Sequence, residues 1–144
     1  MRKEVAEEMG SYQKRAFDMQ IESATPHRLV SMMFEGATAR VVKAKSAIDT
    51  GKPVLKREMI SQAIAIVDAL RESLNLDDGG DLAANLKMLY LYVVERLTMA
   101  DARNSMEMLD ECNNLLLQVS GAWEQIPVEI HAANHNDLRD YAVV

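Results

Sequence analysis

The residues that could carry out catalysis or bind a metal are few. The chain has three histidines, His27, His131 and His135, and one cysteine, Cys112. His131 and His135 are spaced i, i+4, which would place both imidazoles on one side of a helix, where they could share a metal ion. Both follow Pro127 in a polar stretch of the chain. We interpret them as exposed tail residues and expect no metal site.

His27 suggests a second kind of chemistry, phosphate transfer. It follows Pro26, a residue suited to the first position of a helix. Histidine phosphotransfer domains are four-helix proteins with an exposed histidine in mid-helix, and His27–Leu29 matches part of their motif. Val30 and Ser31 replace the lysine and glycine of that motif. We therefore expect His27 to be a surface residue of a first helical turn, and keep a phosphotransfer carrier as an alternative function.

The remaining chemical features predict no active site. Cys112 lies on an apolar stripe without a basic neighbour in sequence, so we expect a buried, unreactive thiol. Gly79–Gly80 is flanked by acidic residues, which would repel phosphate, so it indicates a helix connection and not a phosphate loop. We predict no catalytic residue and no cofactor, and expect that the chain is not an enzyme.

The composition of the chain indicates which kinds of partner it can bind and in which cellular compartment it is found. The 144 residues are 49% hydrophobic and 26% charged, as in an ordinary globular domain. The 16 basic residues against 22 acidic ones give a net charge of −6, which argues against nucleic acid. The single cysteine excludes a disulfide framework and fits a reducing cytoplasm. No apolar run is long enough to cross a bilayer, and residues 1–10 lack a signal peptide pattern, so we predict a cytoplasmic location.

Helix breakers divide the chain into four helical stretches joined by short connections. The predicted helices run from Thr25–Pro26 to Gly51, from about Leu55 to the turn at Asp77–Gly80, from Leu82 to Asn104, and from Ser105 to Pro127. Short connections make sequential helices neighbours, so we predict an all-α antiparallel four-helix bundle over residues 25–126. Residues 1–24 form an N-terminal segment with a weak helical pattern, and residues 127–144 form a polar C-terminal tail.

Some helices carry more apolar surface than one bundle core requires. The second has Met59, Ile66 and Leu70 beside its core stripe, and the third has Met88, Tyr92 and Met99. A wide apolar stripe is typical of a helix with several neighbours. It is also typical of a groove for another protein's amphipathic helix, which adaptable methionines favour. A homodimer contact through the Met88–Tyr92–Met99 stripe is a further alternative.

The N-terminal segment has an apolar set of its own. Its members are Met9, Tyr12, Phe17, Met19 and Ile21. Because it is short and interrupted by Gly10–Ser11, it would not form a stable helix alone. It either docks on the bundle or is mobile, and one interpretation is that it covers the groove and can be displaced.

Several sequence blocks resemble the FliS family of flagellar export chaperones. The first helix carries a T-P-H-x-L block at residues 25–29, followed by M-M-F-E-G-A at 32–37. Further blocks are residues 60–67, 79–86, 89–92, 96–97 and the A-W-E-Q of 122–125. They follow the order of the family and span about residues 12–126.

The resemblance implies a cytoplasmic chaperone that binds the disordered C-terminal region of newly made flagellin. It would prevent premature polymerisation and keep flagellin competent for secretion. The family's N-terminal tyrosine, linked to client binding, and the apolar residue three positions earlier correspond to Tyr12 and Met9. The resemblance also raises the flagellar export gate and an anti-sigma factor as further partners. The predicted client-binding residues are Met9, Tyr12, Met59, Ile66, Leu70, Met88, Tyr92 and Met99.

Overall fold

The computed structural model describes residues 25–74 and 76–125 of the chain, and this part is a bundle of four helices. The helices are α1 (Pro26–Asp49), α2 (Pro53–Glu72), α3 (Leu76–Arg103) and α4 (Met106–Glu124). Each packs on its neighbour in sequence, and α4 packs back on α1, which closes a ring. The all-α four-helix prediction is confirmed. Among the described residues no helix is long and apolar enough to span a membrane.

Capping residues set two of the helix starts as the sequence predicts. The Thr25 hydroxyl accepts a hydrogen bond of 3.1 Å from the Arg28 backbone N–H, and Pro26 takes the first helical position. The Ser105 hydroxyl accepts an equivalent bond of 3.1 Å from the Met108 N–H at the start of α4. Each cap satisfies a backbone donor that the helix cannot pair internally.

Two boundaries differ from the prediction. Helix α2 begins at Pro53, not near Leu55, because proline fits the first helical position. Helix α3 begins at Leu76, one residue before the predicted turn, and its backbone leaves helical geometry at Gly80 (φ 59°, ψ −145°). Glycine adopts this positive φ without the penalty of a side chain. In place of the predicted turn over Asp77–Gly80, the structure therefore has a break in the helix at Gly80.

One apolar core joins the four helices. Its largest fully buried side chains are Phe34, Ile60, Leu70, Tyr90, Leu97, Leu109, Leu116 and Trp123. Burying an aliphatic or aromatic side chain of this size contributes roughly 1.5–3 kcal/mol. Cys112 lies in the same core, with its thiol 3.8 Å from the Val93 carbonyl oxygen. The prediction of a buried thiol is confirmed.

A reciprocal contact between His27 and Trp123 joins the start of α1 to the end of α4. The Trp123 indole N–H donates to the His27 carbonyl oxygen at 3.0 Å, and His27 Nε2 lies 3.1 Å from the Trp123 carbonyl oxygen. The two rings stack with centroids 4.9 Å apart. His27 is only 7% exposed, so the prediction of a surface residue is wrong. The residue faces a partner 96 positions away, which its own neighbours in sequence do not reveal.

The opposite end of the bundle is held by Lys56. Its ammonium donates to the Asp101 carbonyl oxygen at 2.7 Å and to Asn104 Oδ1 at 2.8 Å. It also pairs by charge with Asp101 Oδ1 at 2.9 Å, without hydrogen-bond geometry. The cation thus links the start of α2 to the last turn of α3, where it complements the negative end of the helix dipole.

The Trp123 contact gives a stability prediction. Trp123→Phe keeps a large ring but removes the indole N–H that donates to the buried His27 carbonyl oxygen. We expect a loss of about 0.5–1.5 kcal/mol in the free energy of unfolding, measured by urea denaturation followed by circular dichroism. Val54→Ala, at a residue 80% exposed, is the control and should leave stability unchanged. Equal stability of Trp123→Phe and the native chain would show that the contact contributes nothing.

Burial also determines the reactivity of Cys112. Removal from water raises the pKa of its thiol to about 12, and the nearby Glu111 carboxylate adds to the rise. The thiolate is therefore scarce in the folded protein at neutral pH. We expect an aromatic disulfide reagent to label Cys112 only as fast as the chain unfolds, with full labelling in denaturant. Fast labelling of the native protein would contradict this assignment.

Candidate partner-binding surfaces

An apolar groove with a volume of about 350 Å³ lies between α1 and α2. We call it the α1–α2 groove. Seven of its eight described lining residues are apolar or glycine, and the eighth is a cation, Arg40. The lining consists of Leu29, Met32, Met33, Gly36 and Arg40 from α1, and Ala65, Ile66 and Ala69 from α2.

Small residues leave the α1–α2 groove open. Gly36 contributes no side chain from α1, and the facing wall of α2 has alanines on both sides of Ile66. Flexible Met32 and Met33 lie near one end, and methionine fits irregular apolar surfaces well. The groove can therefore receive apolar side chains of another helix without displacing the core.

Among the described lining residues of the α1–α2 groove, Arg40 is the only charged one. Its Nη1 donates to the Gly36 carbonyl oxygen at 3.0 Å, and its Nε donates to Gln62 Oε1 at 2.8 Å. The guanidinium is thus folded back along α1 and held against α2. Both acceptors are neutral.

A second apolar surface lies on α3, and we call it the α3 patch. It consists of Met88, which is 70% exposed, together with exposed Leu91 and Tyr92. Monomeric proteins expose single apolar residues routinely, but neighbouring ones on one helix are less common. The patch is therefore a second candidate surface for a partner.

Tyr92 is fixed in place by charged neighbours. Its hydroxyl donates to Glu111 Oε1 on α4, and Arg96 Nη2 lies 3.0 Å from Glu111 Oε2. The Arg96 guanidinium lies 5.9 Å from the centre of the Tyr92 ring. The Tyr92 hydrogen bond, and after it the Arg96 contact, hold the pKa of Glu111 below its usual value. The same hydrogen bond raises the pKa of Tyr92, so the hydroxyl remains protonated and the ring orientation is fixed.

The structure separates the predicted client-binding residues into two groups. Ile66 lies in the α1–α2 groove, and half-buried Met59 lies two turns earlier on α2, packed on the core. Met88 and Tyr92 belong to the α3 patch, with half-buried Met99 two turns beyond Tyr92. Because Tyr92 contacts α4 and the helices form a ring, these two groups lie on opposite sides of the bundle.

The other predicted residues belong elsewhere. Leu70 is fully buried in the core, so no partner can reach it in this structure. Met9 and Tyr12 lie outside the described residues. Sequence reasoning missed the α1 wall of the groove, above all Gly36 and Arg40. The signal available was a glycine inside a helical pattern, which often marks a place of close packing.

The residues considered for catalysis show no active-site arrangement. His27 is buried against Trp123, so the exposed histidine that a phosphotransfer carrier requires is not present at this position. Across residues 25–74 and 76–125 no group of three or more acidic, histidine or cysteine side chains could hold a metal ion. His131 and His135 lie outside the described residues.

Comparison with known proteins supports a flagellar role. Residues 8–129 match the family model described as flagellar protein FliS. A flagellar secretion chaperone FliS of Vibrio cholerae is 37% identical over 121 residues, covering 84% of this chain and 89% of the relative. The flagellar secretion chaperone FliSB of Pseudomonas aeruginosa is 37% identical, covering 82% and 94%.

A third relative gives the same result. The flagellar secretion chaperone FliS of Salmonella typhimurium is 37% identical over 81% of this chain and 87% of its own length. The matched region includes all four helices and both apolar surfaces. The family model and the relatives thus agree over more than four fifths of each chain compared. The chain belongs to the FliS family of flagellar secretion chaperones.

Proposed function

We propose that this chain is a cytoplasmic chaperone that binds the disordered C-terminal region of flagellin, prevents its premature polymerisation and keeps it competent for secretion. The observation that carries the proposal is the apolar surface left outside the core on two opposite sides of the bundle. The family assignment supports it, because relatives are named flagellar secretion chaperones. The proposed role is binding and not catalysis.

The two surfaces suit amphipathic helices. A client helix would place apolar side chains spaced i, i+3, i+4 and i+7 into the α1–α2 groove or over the α3 patch. Its polar face would remain in water. A disordered client must lose conformational entropy when it folds on the chaperone, which lowers the affinity for a given buried area. Such a complex can shield the client and still release it to the export machinery.

The direct test is titration calorimetry of the full chain with flagellin and with flagellin lacking its C-terminal region. Stable binding of the first and none of the second would support the proposal. Equal binding of both would contradict the C-terminal assignment. The flagellar export gate and the anti-sigma factor remain predicted partners that the same method can examine.

Self-association is the second candidate function, favoured by the exposure of Met88 in the α3 patch. A homodimer through this patch would bury Met88 and Tyr92 in both copies. Sedimentation with and without flagellin separates the two functions, because a chaperone forms a mixed complex and a purely structural dimer does not. A dimer that dissociates in the presence of flagellin would be compatible with the chaperone role.

The N-terminal segment supplies one prediction about binding. We expect Tyr12→Ala to weaken flagellin binding and leave the helical content unchanged, since the family resemblance links this tyrosine to the client. Calorimetry gives the affinity and circular dichroism gives the helical content. Unchanged affinity would remove Tyr12 from the binding surface.

The α3 patch supplies a second prediction. Met88→Asp places a charge in the centre of an apolar contact, where it must be desolvated on binding. We expect flagellin affinity to fall about tenfold or more, which corresponds to at least about 1.4 kcal/mol. Folding should be unaffected because the side chain is 70% exposed. Val54→Asp, at a residue that is 80% exposed and lies near the α1–α2 connection, is the matched control. Equal affinities for the two variants would show that the patch does not contact flagellin.

A further inference from the structure

The backbone conformation at Gly36 does not require a glycine. It lies within α1, where glycine is less favourable than alanine, and its φ is not in the left-handed region. A Cβ atom at this position would lie 3.2 Å from Arg40 Nη1 and 3.4 Å from Ile66 Cδ1. The distance to Arg40 is tighter than an ordinary contact and the distance to Ile66 is at its lower limit, so a side chain would displace Arg40 and occupy space in the α1–α2 groove. The missing side chain therefore keeps the floor of the groove open.

Gly121 provides the contrast within the same chain. It lies inside α4, is exposed, and an added Cβ atom would meet nothing within 4 Å. A side chain there changes helix propensity and lies outside both the α1–α2 groove and the α3 patch. The two glycines thus separate the effect of filling the groove from the effect of replacing a helical glycine.

Arg40 is unusual among the described arginines that take part in side-chain contacts. Arg28, Arg71 and Arg96 each lie within ion-pair distance of a carboxylate. Arg40 instead donates to the Gly36 carbonyl oxygen and to the Gln62 amide, and no described carboxylate pairs with it. Within residues 25–74 and 76–125, the positive charge of Arg40 is therefore not balanced by a carboxylate, and it lies beside an apolar groove of about 350 Å³. A guanidinium held in this way is suited to a carboxylate, which it can bind with two parallel hydrogen bonds.

We propose that Gly36 and Arg40 set the specificity of the α1–α2 groove for a particular kind of client helix. The helix is one from the C-terminal region of flagellin that presents a large apolar side chain to the Gly36 floor and an aspartate or glutamate about one turn away to Arg40. The choice of an acidic partner rests on charge complementarity with Arg40. The inference rests on the proposed function, and names the chemistry that this groove recognises.

The first experiment compares Gly36→Leu with Gly121→Leu in the full chain, by titration calorimetry with the flagellin C-terminal fragment. We expect Gly36→Leu to raise the dissociation constant at least about tenfold because its side chain fills the groove, and Gly121→Leu to leave it unchanged. Thermal melting by circular dichroism verifies folding. Should Gly36→Leu fail to fold, Gly36→Ala requires shifts of only a few tenths of an ångström and should still weaken binding measurably. Equal affinity for the Gly36 and Gly121 variants overturns the assignment of Gly36.

The second experiment examines charge. Arg40→Gln should weaken binding and reduce its dependence on salt, because one ionic contact is lost. Each acidic residue of the fragment is also replaced in turn by its amide. We expect one of these replacements to weaken binding strongly when the chain has Arg40 and to leave the affinity unchanged when it has Arg40→Gln. Such coupling is the signature of a direct contact. Strictly additive effects for every acidic residue overturn the assignment of Arg40.

Other occupants of the groove give different results. If Gly36→Leu alters the sedimentation coefficient of the chain alone and not its flagellin affinity, the groove takes a second copy. If it exposes residues 1–24 to protease with unchanged flagellin affinity, the groove takes the chain's own N-terminal segment. Either result overturns the inference and leaves the proposed function intact. Absence of any binding between the native chain and flagellin would overturn both.

Discussion

The bundle depends on the closure of its ring between α1 and α4. Every other pair of packed helices is joined by a short connection, which keeps the partners together and fixes their order. Helices α1 and α4 have no such connection, and their contact joins the two ends of the described chain. The paired hydrogen bonds of His27 and Trp123 set the register of this contact, and a salt bridge from Lys45 to Asp110 lies further along it. Because a partly exposed ion pair contributes little, the buried His27–Trp123 contact is the stronger of these two polar contacts.

Closing the ring determines which apolar residues remain at the surface. Each helix directs one apolar stripe towards the core. This stripe is fully buried only when the neighbouring helices on both sides are in place. Leu70 and Ile66 show the result on a single helix, since the first is fully buried and the second lines the α1–α2 groove. On α3 the same rule buries Val93 and leaves Tyr92, one position earlier, at the surface. The two apolar surfaces are therefore consequences of how the bundle is assembled.

The helices could be predicted from sequence because their signals are local. Thr25–Pro26 and Ser105 act within one turn, and the apolar period of 3.6 residues marks each core stripe. The position of His27 could not be predicted in this way, since its environment is created by Trp123 at the other end of the chain. Nor could the groove, because its depth depends on Gly36 facing Ile66 of another helix. Periodicity also could not separate Leu70 from Ile66, because residues four apart differ by only about 40° around the helix axis.

The placement of two separate surfaces on opposite sides of the bundle has a consequence for how a client is held. Under the proposed function, one disordered chain that reaches both surfaces binds the second with the advantage of an already raised local concentration. Each contact alone can then be weak, while both together are strong. The client is released when it first dissociates from one surface. It then leaves the other surface faster than it would leave both at once. A single deep groove of the same total affinity would have to release its client in one slow step. Under this proposal, having both the α1–α2 groove and the α3 patch allows the chaperone to bind its client tightly and still transfer it to another binding partner.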